Sequence, residues 1–358
     1  MGNLVLTVFD VGNGDCIWVS LPANYDVAVD FSELYTSPIE DGTHPALVSG
    51  RGDSSNKTIA CLSHPHRDHM GEIDEMAVVL ELVAKSGGEF WSSVSDWPRY
   101  IDLYRDVAIK TGKKVYRREF RKLARIADRL ARLFEREQVR FVACDLRATT
   151  ALPTPPGIRV EILSPTCATV NEHMKVLHDV ATGRRVDIPN DSVNRTSIVL
   201  KIQNGENVLL LGGDAPSSIW REIMKRIHHQ PPQPMRAQVI KASHHGSDDA
   251  FYPGLWDDLF GDEPGIVVIS ANGSSRPTLA FMDSFEDRCR RGIQDQVRCT
   301  GRMTRIYRER LPARYVPVLD QRSTPVERGD SVQHYGTITV VIPSQGTPSI
   351  AQEFVGPA

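Results

Sequence analysis

The stretch "LSHPHRDHMGEI" places three histidines and an aspartate within six positions. These residues are His64, His66, Asp68 and His69, and they follow the run "KTIACLS", which is typical of a strand entering the interior. Imidazole nitrogens and carboxylate oxygens are ligands that zinc, manganese and iron accept. In a strand-like loop, His64 and His66 project to the same side and can hold one ion. Asp68 and His69 lie just beyond and can face a second ion.

Polar motifs recur further along the chain where other strands end. Asp214 follows the apolar run "VLLLGG", so a carboxylate is delivered from a buried strand to a loop edge. The alternative is a turn or helix-capping aspartate before "APSS". His244 and His245 end the apolar strand of "AQVIKASHHGSDDA", for which a polar loop is the alternative.

The elements that must position these groups are short β-rich segments separated by helices. Strand-like runs include "LVLTVFDV", "CIWVSL" and "DVAVDF" early in the chain, and "TSIVLKI", "NVLLLGGD" and "GTITVVIP" later. This pattern predicts an α+β fold in which two sheets pack face to face, with helices outside and loops gathered along one edge.

Residues 98–140 differ from their surroundings because they are helical in period and rich in arginine and lysine. We interpret them as a basic helical insertion within a single domain covering 1–358. The predicted apolar face consists of Phe120, Leu123, Ile126, Ala127, Leu130, Leu133 and Phe134. The predicted basic stripe consists of Arg118, Lys122, Arg125, Arg129, Arg132 and Arg136. The stripe suits a phosphate backbone, an ordinary solvated helix face or the docking of a protein partner.

Composition favours a soluble globular protein. The chain has 358 residues, of which 41% are apolar and 24% charged. Its apolar runs fall far short of the about 20 residues that a membrane span needs, so no membrane association is expected. Six scattered cysteines favour reduced thiols and a cytoplasmic location. The net charge of −3 neither demands nor excludes a nucleic-acid partner.

Several motifs carry a resemblance to a known family. "HPHRDH" resembles the H-x-H-x-D-H signature of the metallo-β-lactamase-fold hydrolases. "FDVGNGDCIWV" resembles the D-V-G-Q-G-D opening of the hydrolase domain in ComEC-type competence (DNA-uptake) proteins. "NDSVNRTSIVLKI", "VLLLGGDA" and "VIKASHHGSDD" resemble later motifs of that domain, in the same order. The resemblance implies a metallo-β-lactamase αββα sandwich, here with a helical insertion.

The resemblance also implies a site for two divalent metal ions, zinc or manganese. The implied metal ligands are His64, His66, Asp68, His69, Asp214 and His244, with Asp214 bridging the two ions. One histidine of the adjacent pair would complete the shell of the second ion, and the other would face substrate or transfer a proton. We assign His244 to the ion and His245, together with Asp68, to catalysis, while the order of the pair stays open.

Other polar residues are candidates for supporting roles. Asp10, Asp15 and Asp30 are candidates for holding the ligand histidines, with ordinary turn aspartates as the alternative. Asn194, Ser197 and Ser247 are candidates for holding a phosphate oxygen or a water molecule. Many enzymes of this fold supply a further histidine to the first ion, and "NRTSIVL" offers none. His173, His178 or water would have to substitute.

The implied activity is hydrolysis that depends on divalent metal ions, which lower the pKa of bound water to roughly 7. We expect a phosphodiesterase or nuclease, with a nucleic acid or nucleotide as substrate. The alternatives are a thioester or lactone hydrolase, and a partner-binding module whose metal site is structural. Fold alone does not fix the substrate.

Overall fold

The structure is a computed structural model that describes residues 2–9, 11, 14–22, 24–32, 57–71, 73–85, 87–135, 140–143, 157–228, 235–271, 275–300 and 337–353. These residues form two mixed β-sheets and a set of helices.

The first sheet contains eight of the described strands. They are β1 (Leu4–Val8), β2 (Cys16–Leu21), β3 (Tyr25–Phe31), β4 (Lys57–Leu62), β5 (Glu89–Ser92), β6 (Arg140–Ala143), β13 (Thr337–Ile342) and β14 (Ser349–Glu353). Their order across the sheet is β14-β13-β1-β2-β3-β4-β5-β6. Neighbours from β14 to β3 are antiparallel, and those from β3 to β6 are parallel. The carboxyl ends of β3 to β6 therefore share one edge.

The second sheet contains the other six described strands. They are β7 (Ile158–Ser164), β8 (Val199–Asn204), β9 (Asn207–Leu211), β10 (Val239–Lys241), β11 (Ile266–Ile269) and β12 (Gln296–Cys299). Their order is β12-β11-β10-β9-β8-β7, with β9 to β12 parallel. The predicted hairpin between β8 and β9 is present, and Gly205 in its turn has φ of 61°.

Helices connect the strands and cover both sheets. They are α1 (Arg67–Met70), α2 (Ile73–Lys85), α3 (Trp97–Thr111), α4 (Lys114–Glu135), α5 (Cys167–Ala181), α6 (Asn190–Asn194), α7 (Ser217–His228), α8 (Leu255–Phe260), α9 (Leu279–Asp283) and α10 (Glu286–Arg290). Two short 3-10 turns cover Ser243–Gly246 and Asp248–Ala250. In the described ranges, no helix has both the length and the apolar content that crossing a membrane requires.

Three apolar clusters define the layers. The central cluster combines side chains of both sheets, such as Val19 and Ile59 from the first with Leu200 and Leu211 from the second. A second cluster packs the outer face of the first sheet against α2 to α5. A third packs the outer face of the second sheet against α7 to α9 and the start of α10. The order of helices, sheet, sheet and helices confirms the predicted α+β sandwich.

The basic helical segment corresponds to α3 and α4, which connect the parallel strands β5 and β6. Leu123, Ile126 and Leu130 of α4 are buried in the cluster beneath the first sheet. The described part of the apolar face is thus covered by the chain itself. Arg136 and the side chains of Leu133 and Phe134 lie outside the described residues. The division into one domain with an insertion stays a prediction.

The predicted basic stripe of α4 is partly engaged within the protein. The Lys122 ammonium donates to the carbonyl of Gly71, and Arg129 forms an ion pair with Glu81 of α2. Arg118 and Arg125 are exposed. The stripe therefore anchors α4 at some positions and presents positive charge to solvent at others.

Candidate metal centre

The polar groups predicted for a metal site meet where the carboxyl edges of the two sheets face each other. His64 follows β4, Asp214 follows β9, and the histidine pair follows β10. His69 Nε2 lies 3.2 Å and His64 Nε2 3.9 Å from Asp214 Oδ2. His245 Nε2 lies 3.7 Å from the other oxygen, Asp214 Oδ1. Segments distant in sequence therefore converge on one buried carboxylate.

Asp214 belongs to two groups of ligand atoms that are close enough to hold an ion. Within each group the atoms all lie within 4.8 Å of one another. One group contains Asp68, His69, Asp214 and His245, and the other contains His64, His66 and Asp214. A carboxylate that both groups share is the arrangement expected of a bridging ligand.

The atoms that face the middle of this cluster lack well-formed hydrogen bonds within the described part of the chain. They are His64 Nε2, His69 Nε2, His245 Nε2 and both carboxylate oxygens of Asp214. Leaving a buried polar atom unpaired costs about 1–3 kcal/mol, and more when the group is charged. Cations at the centre would satisfy all five atoms, and a nitrogen and oxygen donor set suits zinc or manganese. The residues present therefore fit two divalent ions.

The pKa shifts at the centre reflect dense packing of charge. Burial lowers the pKa of His64 well below its usual value. Burial also opposes protonation of His69, but the carboxylates of Asp214 and Asp30 outweigh it and raise the pKa of His69 well above its usual value. The two carboxylates favour positive charge at this imidazole, and a cation at Nε2 would take the place of the extra proton.

The outward side of His69 is held by Asp30. The Nδ1 atom of His69 lies 2.7 Å from Asp30 Oδ2. Ser63 donates to both oxygens of the same carboxylate, from its hydroxyl and its backbone N–H, each at 2.7 Å. With Nδ1 donating to Asp30, the Nε2 lone pair of His69 faces the centre.

His245 is held in the same way by a backbone carbonyl. Its Nδ1 lies 2.8 Å from the carbonyl oxygen of Ser270, the residue after β11. Nε2 then faces Asp214 and also lies 3.8 Å from Asp68 Oδ2. The structure therefore brings His245, rather than His244, into the group with Asp68. This geometry favours His245 as the metal ligand and His244 as the residue that faces substrate, which is the reverse of the assignment made from the resemblance.

His244 lies at the rim of the centre. Its Nδ1 lies 2.8 Å from Asp249 Oδ1, its Nε2 lies 3.9 Å from Asp214 Oδ2, and its side chain is 23% exposed. His66 is also at the rim, since its side chain is 40% exposed, and its Nδ1 lies 2.7 Å from Asp68 Oδ1. The rim histidines are the ones that a substrate would meet first.

Backbone strain marks the same positions. His244 and His245 have φ of 47° and 54°, and Asp30 has φ of 58°. The left-handed region costs of order 1–3 kcal/mol for a residue with a side chain. Such strain persists where the surrounding structure enforces it. Here it turns the two consecutive histidines in different directions, and the N–H of His244 donates to Gly213 at 3.0 Å.

A buried ion pair supports the centre and was not predicted from the sequence. Lys241, the last residue of β10, is fully buried and pairs with the equally buried Asp15. The other oxygen of Asp15 lies 3.7 Å from His245 Nδ1. The sequence nevertheless contains a signal for this ion pair, because a lysine that ends the apolar strand "VIK" requires a buried anion as its partner.

The loop that carries Asp15 approaches the first motif closely. The backbone N–H of Asp15 donates to the carbonyl of Asp68 at 3.3 Å. A Cβ atom on Gly14 would lie 2.7 Å from that carbonyl oxygen, which no side chain tolerates. Glycine at this position therefore allows Asp15 to reach the histidines.

The other candidates for supporting roles are Ser197, Asn194, Ser247 and Asp10. Ser197 Oγ accepts from the backbone N–H of Asp214 at 3.2 Å. Asn194 is buried, and its Oδ1 has no hydrogen-bond partner among the described residues. The N–H of Ser247 donates to the carbonyl of His244. Asp10 lies outside the described residues.

Neither proposed substitute for the missing histidine joins a ligand group. His173 Nδ1 lies 2.9 Å from Ser192 Oγ, and its Nε2 lies 3.3 Å from the hydroxyl of Tyr100. Burial lowers the pKa of His173 to about 4, as expected for an imidazole packed among helices. His178 is an exposed residue of α5. The described part of the first group therefore consists of His64, His66 and Asp214.

Comparisons with known proteins give distant structural similarity only. No protein-family model matches the sequence, and no curated protein matches it significantly. A protein of unknown function from Enterococcus faecalis is 13% identical with a TM-score of 0.36, covering 85% of this chain and 73% of that one. Zn²⁺-bound PqqB from Methylobacterium extorquens is 12% identical with a TM-score of 0.30, covering 63% and 58%. A mutant of the CmlA beta-hydroxylase is 11% identical with a TM-score of 0.38, covering 82% and 52%.

This chain therefore spans little more than half the length of the PqqB and CmlA chains. TM-scores below 0.5 carry no weight for fold or function. The αββα architecture stands on the sheet order and apolar clusters of this chain.

Proposed function

We propose that this protein is a divalent-metal-dependent hydrolase that cleaves phosphodiester bonds, as a nuclease or a nucleotide phosphodiesterase. The observation that carries the proposal is the position of Asp214. Both of its buried oxygens lack hydrogen bonds among the described residues, and it belongs to two groups of ligand atoms. When bound, a pair of divalent ions lowers the pKa of water to roughly 7 and stabilises the attacking and leaving oxygens of a phosphodiester.

Some residues of the centre would bind the ions, and others orient the side chains that do so. His64, His66 and Asp214 would hold one ion, and Asp68, His69, Asp214 and His245 would hold the other. Asp30 and the carbonyl of Ser270 fix the two buried imidazoles with Nε2 pointing inward. His244 then takes the role of facing substrate at the rim, where Asp249 orients its ring.

Positive charge near the metal centre supports a polyanionic substrate. Lys122 of α4 donates to the carbonyl of Gly71. Gly71 directly follows α1, the helix that carries the candidate ligands Asp68 and His69. The exposed arginines of α4, including Arg118 and Arg125, extend positive charge from that contact. The resemblance of "FDVGNGDCIWV" and "VIKASHHGSDD" to a family that handles DNA points to the same class of substrate.

A substrate panel tests the proposal. The purified protein, loaded with zinc or with manganese, is assayed on bis(p-nitrophenyl) phosphate, single-stranded DNA, a lactone and a thioester. We expect turnover of the phosphodiesters, its loss in Asp68→Ala with the fold retained, and unchanged turnover in the control Asp102→Asn on the exposed face of α3. Greater turnover of the carbonyl substrates would contradict the phosphodiester assignment. Absence of any turnover, with a melting temperature that falls on chelation, would favour a structural metal site.

A further inference from the structure

A cavity of about 300 Å³ lies beyond the carboxyl end of β5. One wall comes from the connection between β5 and α3 and from the first turn of α3, including Val94 and Arg99. The other wall is one face of α5, which contributes Asn171, Lys175 and His178. Its volume is at the lower end of the range for small-ligand sites.

The cavity opens at the same sheet edge as the metal centre. Ser92, which ends β5, pairs in parallel register with Leu62, which ends β4. His64 lies two residues beyond Leu62, and Val94 lies two residues beyond Ser92. Neighbouring strands are about 4.8 Å apart, so the cavity and the first ligand group begin at adjacent strand ends.

The charge lining the cavity is mainly positive. Arg99, Lys175 and His178 contribute basic side chains, and Asp96 is the only acidic residue in the lining. The Asp96 carboxylate caps α3 by accepting from the backbone N–H of Arg99 at 3.0 Å. Neither Arg99 nor Lys175 forms an ion pair with any residue that the structure describes. An anion would therefore meet two available cations and the first turn of a helix of 15 residues.

We propose that this cavity binds a phosphate group of the substrate other than the one that is cleaved. This inference rests on the proposed phosphodiesterase function and narrows its substrate to a chain or nucleotide with at least two phosphate groups. Arg99 and Lys175 bind the phosphate oxygens, and Asn171 and His178 lie within the same lining. Val94 and Met174 supply apolar surface beside them.

The test compares two double variants that remove the same charge. Arg99→Gln/Lys175→Gln changes the cavity, while Lys110→Gln/Lys225→Gln changes exposed lysines of α3 and α7 that do not line it. Melting temperatures confirm that both variants fold. Binding of fluorescein-labelled tetrathymidylate is measured by anisotropy in EDTA, and KM is measured with metal for that oligonucleotide and for bis(p-nitrophenyl) phosphate.

We expect the cavity variant to bind the oligonucleotide about tenfold more weakly and to raise its KM by a similar factor. KM for bis(p-nitrophenyl) phosphate, which has a single phosphate, should not change. No oligonucleotide binding by the wild-type protein, or equal binding by both variants, would overturn the inference even if phosphodiesters are hydrolysed. Weaker binding by the cavity variant in a protein without hydrolytic activity would retain the cavity site and reject the proposed function.

Discussion

The carboxylate of Asp30 lies 2.7 Å from Nδ1 of His69, although the two residues are 39 positions apart in the sequence. Both side chains are buried, and Asp30 holds a left-handed backbone conformation to reach the ring. The contact fixes which nitrogen of His69 faces Asp214. It is the clearest case in this protein of a residue that acts on the candidate metal centre through a ligand.

Asp30→Asn should weaken metal binding while preserving the fold. Asparagine tolerates the left-handed backbone and keeps the shape of the side chain, but it removes the charge that orients His69. We expect roughly 10–100-fold lower affinity for zinc, measured by competition with a chromogenic chelator. The exposed substitution Asp102→Asn is the control and should leave the affinity unchanged. Wild-type affinity in Asp30→Asn would show that the contact has no influence on the ion.

Asp214→Asn should reduce the metal content more than loss of any ligand that belongs to one group. Asp214 is shared by both groups, whereas Asp68 belongs to one and His64 to the other. Elemental analysis should find two ions per chain in the wild type, one in Asp68→Ala and in His64→Ala, and close to none in Asp214→Asn. A full complement of metal in Asp214→Asn would rule out its bridging role.

The adjacent histidines should behave differently when each is replaced. His245 points Nε2 towards Asp214 and Asp68, whereas His244 lies at the rim beside Asp249. We expect His245→Ala to lose one ion per chain and His244→Ala to keep both while losing turnover. The opposite result would restore the order assigned from the resemblance.

His173 should make stability depend on pH in the mildly acidic range. Its pKa is about 4 in the folded protein because the ring is buried, against 6.5 for an exposed histidine. The neutral ring contributes its full stability above pH 6.5, and that contribution is lost as the pH falls through about 4. Between pH 7 and pH 5 the loss should be about 2 kcal/mol.

Urea unfolding of the wild type and of His173→Asn measures this effect. The free-energy difference between the two proteins should shrink by that amount on acidification, because the variant lacks the titrating ring. Comparing the pair cancels the titration of the metal-site groups. A difference that stays constant with pH would show that His173 is not buried in its neutral form.

Much of the fold followed from local patterns. Alternating and continuous apolar runs predicted the strands, and the placement of polar motifs at strand ends predicted a shared edge. These features could be predicted because the spacing of apolar residues along a short segment indicates which of its side chains are buried. The hairpin at Gly205 and the buried face of α4, with Leu123 and Ile126, agree with those expectations.

The supporting contacts were harder to foresee. Lys241 and Asp15 form a buried ion pair across 226 residues of sequence. No local pattern connects them, because the contact exists only once β10 of the second sheet faces the loop before β2 of the first. The cavity beside β5 likewise depends on α3 and α5 lying together, which neither helix specifies alone.

The sequence by itself determined which donor atoms the candidate metal centre offers. Residue types and spacing at His64, His66, Asp68 and His69 specify nitrogen and oxygen donors for divalent ions, since ligand preference is a property of the atoms. Only the tertiary structure decided the orientation of His245. Its side chain direction depends on a left-handed backbone and on a hydrogen bond to Ser270, both of which arise when the second sheet is assembled.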